Sequence, residues 1–255
     1  MWTGHGWVTP RRPKQRQVLA LLILQAGSIV PTASLQREIW GDTPPKTADA
    51  TLQLYITQVR RFLAGVIGAT TREVMDQVLI TRHGGYLLQA PESSDLDRFS
   101  AVMESGRNAA RAGRNDQAAR LYAEALGLWD GSTPLAGVPH GPLIAARIRL
   151  LQQDWLAVAG DYFEMELARG RYRNVLGPLM ACAGQHPLHE NLHRQLIRAL
   201  IHSGQPAEAM AVFSRLRARL SQELGIDPAP ETVQLRRRIG TSSGGTMMRA
   251  LRETA

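Results

Sequence analysis

Between Thr51 and Arg61 the chain carries side chains whose types and spacing suit the reading of a nucleic acid. Leu54 and Gln58 stand four residues apart, which stacks them on one face of a helix. There an amide can pair with an adenine edge and an alkyl group can pack on a thymine methyl. Thr51, Thr57, Arg60 and Arg61 surround that pair with hydroxyls and cations of the kind that bind phosphate. Further on, Arg82 precedes His83-Gly84-Gly85, a tight turn between two β-type runs, and a thin turn gives an arginine the reach for a narrow groove. The plainer alternative is a solvated helix face and an ordinary hairpin tip.

A second constellation points elsewhere. His189-Glu190-Asn191-Leu192-His193 has the H-E-x-x-H spacing that places two imidazoles on one helix face, as in zinc hydrolases. A catalytic zinc also needs a third ligand and supporting hydrogen bonds, and only His202 and Glu208 stand near in sequence, with no sign of a site built around them. The two histidines are therefore read as surface residues of a helix, and no metal, cofactor or catalytic residue is expected. Arg82-His83-Gly84-Gly85 and Ser242-Ser243-Gly244-Gly245 lack the lysine and the strand-to-helix setting of a phosphate loop. Cys182 is a single cysteine in an apolar run and reads as a small buried hydrophobe. Trp40, Trp129 and Trp155 fall at apolar helical positions and read as core.

These side chains need elements to hold them. Lys14 to Ala26 is apolar on most faces after Gln17 and forms a buried helix that Gly27 ends. A short helix follows Thr32 as N-cap and stops at Gly41-Asp42-Thr43-Pro44-Pro45. The third helix runs from Thr47, its N-cap, to about Leu63. Asp49 in its first turn complements the helix dipole, and Leu52, Ile56, Val59 and Leu63 form an inward stripe. The candidate reading face lies opposite. Val78 to Leu88 gives two β-type runs around Gly84-Gly85, a hairpin with Arg82 near its tip. Three helices and a hairpin are the order of a winged helix, whose third helix enters the major groove.

Pro91 to Asp95 is a polar break, and helical patterns fill the remainder, at about 95–112, 114–129, 142–169, 171–186, 188–203, 205–223 and 230–239. Gly170 and Gly204 recur 34 residues apart, the period of tetratricopeptide helix pairs, and Gly113 opens a similar but less regular unit. The expected organisation is thus a winged-helix domain at 1–90, a helical-repeat domain at 95–240 and a disordered tail at 241–255.

The chain of 255 residues carries a net charge of +8, and residues 1–90 hold ten Lys/Arg against five Asp/Glu. A basic surface favours polyanions, which places nucleic acid first among partners for this N-terminal part. No charged and apolar leader and no membrane-length apolar run is present, so a cytoplasmic location without membrane attachment is expected.

Several separate motifs carry a resemblance. Pro13-Lys14-Gln15-Arg16-Gln17-Val18-Leu19-Ala20-Leu21-Leu22, Glu38-Ile39-Trp40-Gly41, Thr51-Leu52-Gln53 with Val59-Arg60-Arg61, and Gly84-Gly85-Tyr86 resemble the Streptomyces antibiotic regulatory proteins. Asp97-Arg98-Phe99, Ala125 to Trp129, His186-Pro187-Leu188-His189-Glu190, Gly204 to Ala209 and Glu223 to Pro228 resemble the bacterial transcriptional activation domain that follows in that family. The motifs occur in order over roughly residues 10–240.

The resemblance implies an OmpR/PhoB-type winged helix that binds direct repeats in double-stranded promoter DNA as a homodimer. It also implies recruitment of RNA polymerase, usually at a secondary-metabolite gene cluster. It assigns base contacts to Leu54 and Gln58, backbone contacts to Thr51, Thr57 and Arg60, and the minor-groove arginine to Arg82, with the Gly41 to Lys46 loop able to touch polymerase. Family members usually carry a small antiparallel sheet before the first helix. Only Met1 to Pro10 precede Arg11 here, so that sheet is expected to be largely missing.

The sequence therefore predicts a mainly α protein: a winged helix-turn-helix of three helices plus a β-hairpin wing, followed by a TPR-like helical-repeat domain, acting as a transcription activator and not as an enzyme. The rival is a helical-repeat adaptor for a protein or peptide, its DNA-binding part degenerate.

Overall fold

A computed structural model describes residues 8–89, 95–129 and 134–239. They form two compact units, the first made of residues 8–89, 95–99 and 134–154 and the second of 100–129 and 155–239. The packing divides the chain at different points from the sequence units 1–90 and 95–240, because 134–154 folds with the winged helix. The proposed tail at 241–255 lies outside the described residues.

In the first unit α1, Pro13–Leu24, begins on a proline that suits the first helical turn and buries every residue from Gln17 to Leu22. α2, Thr32–Trp40, is halted by Gly41, whose positive φ of 67° turns the chain before Pro44-Pro45. Its N-cap is Pro31 rather than Thr32. α3, Ala48–Ile67, outruns its expected end by about a turn and closes on left-handed Gly68. Thr47 does occupy the N-cap, although its side chain makes no capping bond.

The stretch that follows holds a short helix α4, Thr71–Glu73, opened by a reciprocal Thr70–Glu73 capping box and continued by a π-type turn over Val74–Val78. The wing is the hairpin of β2, Leu79–Arg82, and β3, Gly85–Leu88. A strand unforeseen in the sequence, Ile29–Pro31, comes earlier in the chain and is β1. It pairs antiparallel with β3, giving the order β1-β3-β2. Gly85 explains the close approach: a Cβ there would collide with the Val30 carbonyl.

The inward stripe Leu52, Ile56, Val59 and Leu63 is buried as expected, against Val18, Leu21 and Leu22 of α1, Leu35 and Ile39 of α2, and Leu79, Tyr86 and Leu88 of the sheet. Ile144 and Ile148 complete this core from the start of a long helix, Pro142–Ala168. That helix start is gripped by Glu38, which is 2% exposed. Its carboxylate accepts the backbone N–H groups of Gly141, Leu143 (2.8 Å) and Ile144 (3.2 Å), donors that a helix N-terminus otherwise leaves unsatisfied. Buried Gln17 in turn donates to the Glu38 carbonyl at 2.7 Å.

Gly141 sits so near Glu38 that a Cβ would strike both its carbonyl oxygen and its carboxyl group. Gly141→Ala is therefore expected to force the 134–141 segment off α2 and cost about 1–3 kcal/mol, as overpacking does. Comparison of the urea midpoints of the two proteins checks this.

From residue 95 onward the helices come in pairs. α5, Asp95–Arg111, precedes α6, Asn115–Gly127; α7, Pro142–Ala168, precedes α8, Tyr172–Gln185; and α9, Glu190–His202, precedes α10, Pro206–Arg219. A last helix, α11, spans 230–239. Gly113, Gly170 and Gly204 end the first helix of each pair in the left-handed region (φ 70°, 72° and 77°), so the repeat read from the sequence is a repeated helix stop. No described helix is long and apolar enough to cross a membrane.

Candidate nucleic-acid interface

The face of α3 opposite the buried stripe is available to a ligand. Leu54 is 52% exposed, a large apolar side chain left in water in the middle of a helix whose other face is core. Arg61 is exposed, and Thr51, Thr57 and Gln58 are half-buried beside it. Thr57 donates to the Gln53 carbonyl at 2.9 Å, one turn back, which holds its hydroxyl against the helix. The Arg61 side chain has no hydrogen-bond or ion-pair partner among the described residues, and neither has that of Arg82, which is exposed beside the hairpin turn. Both cations are free to meet phosphate.

Gln58 is more constrained than its spacing suggests. Its Oε1 accepts a hydrogen bond of 2.5 Å from Nε2 of Gln15, in the first turn of α1. The sequence singled out Gln15 only as part of a motif, with no role. Its neighbours are committed too: Lys14 donates to the Ile39 carbonyl at 2.7 Å, closing the end of α2, and Gln17 holds Glu38. At the other end of α3, Gln36 of α2 donates to Asp49 at 2.7 Å, bracing the angle between the two helices.

Arg60 does not behave as the sequence expects. The expected phosphate contact is turned inward instead: the residue is 9% exposed, its Nε and Nη2 donate to the Leu79 carbonyl at 3.0 and 2.8 Å, and Nη2 also reaches Thr81 Oγ1 at 2.8 Å. Burial pulls its pKa down from the ordinary value, opposed by Tyr86 and Asp76. The reason is the geometry of α3. Arg60 follows the stripe residue Val59 and sits on the flank facing β2, so it fastens the wing to the helix. The adjacent arginine, Arg61, is the one left outside.

The H-E-x-x-H segment is occupied by structural roles. His189 is the N-cap of α9 and its Nδ1 accepts from the Leu192 amide at 3.4 Å, while His193 Nδ1 lies 3.2 Å from the His189 carbonyl. Glu190 accepts the Ala229 amide at 2.7 Å. His193 is 9% exposed, so the expectation of two surface histidines fails for it; both imidazoles have pKa values lowered chiefly by burial. Cys182 is buried and its thiol is pushed up to about 11 by desolvation. Trp155 is core and donates to the Trp129 carbonyl at 3.0 Å. Trp40 is only partly buried, stacked on Tyr55.

Comparison with known proteins bears on the same two regions. Residues 8–88 match the family described as transcriptional regulatory protein, C terminal, and residues 94–240 match the bacterial transcriptional activator domain. The chain is 39% identical to the regulatory protein DnrI of Streptomyces peucetius over 233 residues, covering 91% of this chain and 85% of that one. It is 33% identical to the regulatory protein AfsR of Streptomyces griseus over 239 residues, of which it spans 23% of the length. Among solved structures, Mycobacterium tuberculosis EmbR in complex with a low-affinity phosphopeptide superposes with a TM-score of 0.73 at 30% identity, over 95% of this chain and 66% of that one.

Proposed function

Since this chain belongs to the Streptomyces antibiotic regulatory protein family of DNA-binding transcriptional regulators, we propose that it activates a secondary-metabolite gene cluster by binding direct repeats in the promoter and recruiting RNA polymerase. The observation that carries the reading is the outer face of α3, where exposed Leu54 stands one turn from Gln58, with Arg61 beside them and Arg82 on the wing. Leu54 would pack on a thymine methyl, Gln58 would bond a base edge, Thr51, Thr57 and Arg61 would meet phosphates, and Arg82 would enter the minor groove.

Direct repeats call for two copies of the chain on DNA, each placing one α3 in the major groove. The loop from Gly41 to Lys46 would be the surface offered to polymerase; Asp42 to Lys46 are exposed, and two prolines stiffen the loop. The activity is that of a regulator and not of an enzyme.

Selection of bound sites from a random duplex library tests the reading. Gln58→Ala is expected to flatten the preference at one base position per half-site, at a cost of about 1–3 kcal/mol for the preferred base, and to leave the other positions unchanged. Selection that returns no common site with the unaltered protein would overturn the proposal.

A further inference from the structure

The hydrogen bond from Gln15 to Gln58 bears on which base α3 accepts. A primary amide has one accepting and one donating side, and pairing with adenine in the major groove uses both: the oxygen takes N6–H and the amino group gives to N7. Here the oxygen of Gln58 is held by Gln15 across the α1–α3 contact, while Nε2 of Gln58 has no partner among the described residues. Both side chains are half-buried, and their helices are tied to the same core through Val18, Leu22, Ile56 and Val59. Lys14, just before Gln15, and Gln17, two residues after it, are bonded to α2, so the turn that presents Gln15 is fixed at two points.

We infer that Gln15 is a specificity-determining residue: by holding the Gln58 oxygen it presents Gln58 to DNA as a donor. This rests on the proposed role of Gln58 in base contact. A donor on its own matches acceptors, namely N7 of either purine, O6 of guanine and O4 of thymine, and is repelled by cytosine, whose edge in the groove is the N4 amino group. The contacted position therefore tolerates adenine, guanine and thymine and disfavours cytosine, where an unrestrained glutamine would favour adenine. Gln15 touches no base in this account and acts as a positioning residue.

Gln15→Glu tests it in the full-length protein with a random duplex library as probe. The carboxylate accepts only, so it takes the amino group of Gln58 and turns the amide over, presenting the oxygen to DNA. Cytosine and adenine, which offer amino groups, should gain about three- to tenfold over guanine at the Gln58 position, the worth of one neutral hydrogen bond. The added charge weakens binding to all sequences equally, so the ratio between bases is the readout and affinity is not.

Gln15→Ala serves as the second variant: it frees the amide and should raise adenine over guanine without adding charge. It also decides the matter if the glutamate variant melts early. Gln58→Ala in the same selection separates two failures. If it flattens one position while both Gln15 variants leave every base ratio unchanged, the role of Gln15 is overturned and the Gln58 contact stands. If it flattens none, the Gln58 contact is overturned and the role of Gln15 with it.

Discussion

Glu38→Ala is expected to lower the stability of the first unit by about 2–4 kcal/mol, the largest effect of any single truncation outside the apolar core. The carboxylate is buried and satisfies three backbone donors at the start of α7. A methyl group in its place leaves those N–H groups without partners in a space that water does not readily enter, and an unmade buried hydrogen bond costs more than a made one contributes. Glu38 also favours the positive end of the α7 dipole, an interaction strengthened by the exclusion of solvent.

Glu38→Gln should cost roughly half as much, because one oxygen still accepts while the amino group faces a donor. Chemical denaturation followed by circular dichroism measures both; a shift of less than about 0.5 kcal/mol for Glu38→Ala would show that the 134–144 segment does not depend on this residue. The buried glutamate also gives a physical reason for the Glu38-Ile39-Trp40-Gly41 motif, which sequence could only match by pattern.

The second large effect separates two adjacent arginines. Arg60→Ala is expected to lower stability by about 2–3 kcal/mol, since the Leu79 carbonyl loses two charge-assisted hydrogen bonds and Thr81 loses its partner. The wing would then lose its fastening to α3, and DNA affinity should fall through misplacement of Arg82. The slope of log affinity against log salt should change little per contact with phosphate, because the charge removed was not spent on phosphate.

Arg61→Ala should do the opposite: stability within about 0.5 kcal/mol of the parent and a salt slope smaller by about one. Thermal melts and binding titrations at several salt concentrations read both quantities. A normal melt together with a reduced slope for Arg60→Ala would return Arg60 to the phosphate-binding set.

The periodic features were legible in the sequence because periodicity reports burial. The stripe Leu52, Ile56, Val59 and Leu63 is the core face of α3, and the helices from residue 95 onward lie within a few residues of their expected spans. The repeated glycines were legible because only glycine enters the left-handed region without cost at a helix stop. β1 was not, since Ile29-Val30-Pro31 is too short for an alternating pattern and owes its strand to pairing with β3.

Roles set by contacts between distant parts of the chain were equally hidden. Gln15 meets Gln58 across 43 residues and Glu38 meets Gly141 across 103, distances over which neither spacing nor residue type carries information. Arg60 and Arg61 are one residue type in adjacent positions, and only the flank each occupies on α3 separates a wing fastening from a free cation. His193 illustrates the converse, a polar residue in a helical pattern that the fold buries beside its own N-cap.

The central claim is that the outer face of α3 and the wing read DNA sequence, and the most direct measurement is the affinity of the full-length protein for a selected duplex against a scrambled one at physiological salt. The expected ratio is about a thousandfold or more, reduced about tenfold or more in the double variant Leu54→Ala, Gln58→Ala, whose loss of apolar and hydrogen-bonded base contacts should leave the scrambled duplex bound as before. Equal affinity for the two duplexes, or a ratio that the double variant leaves unchanged, would contradict it.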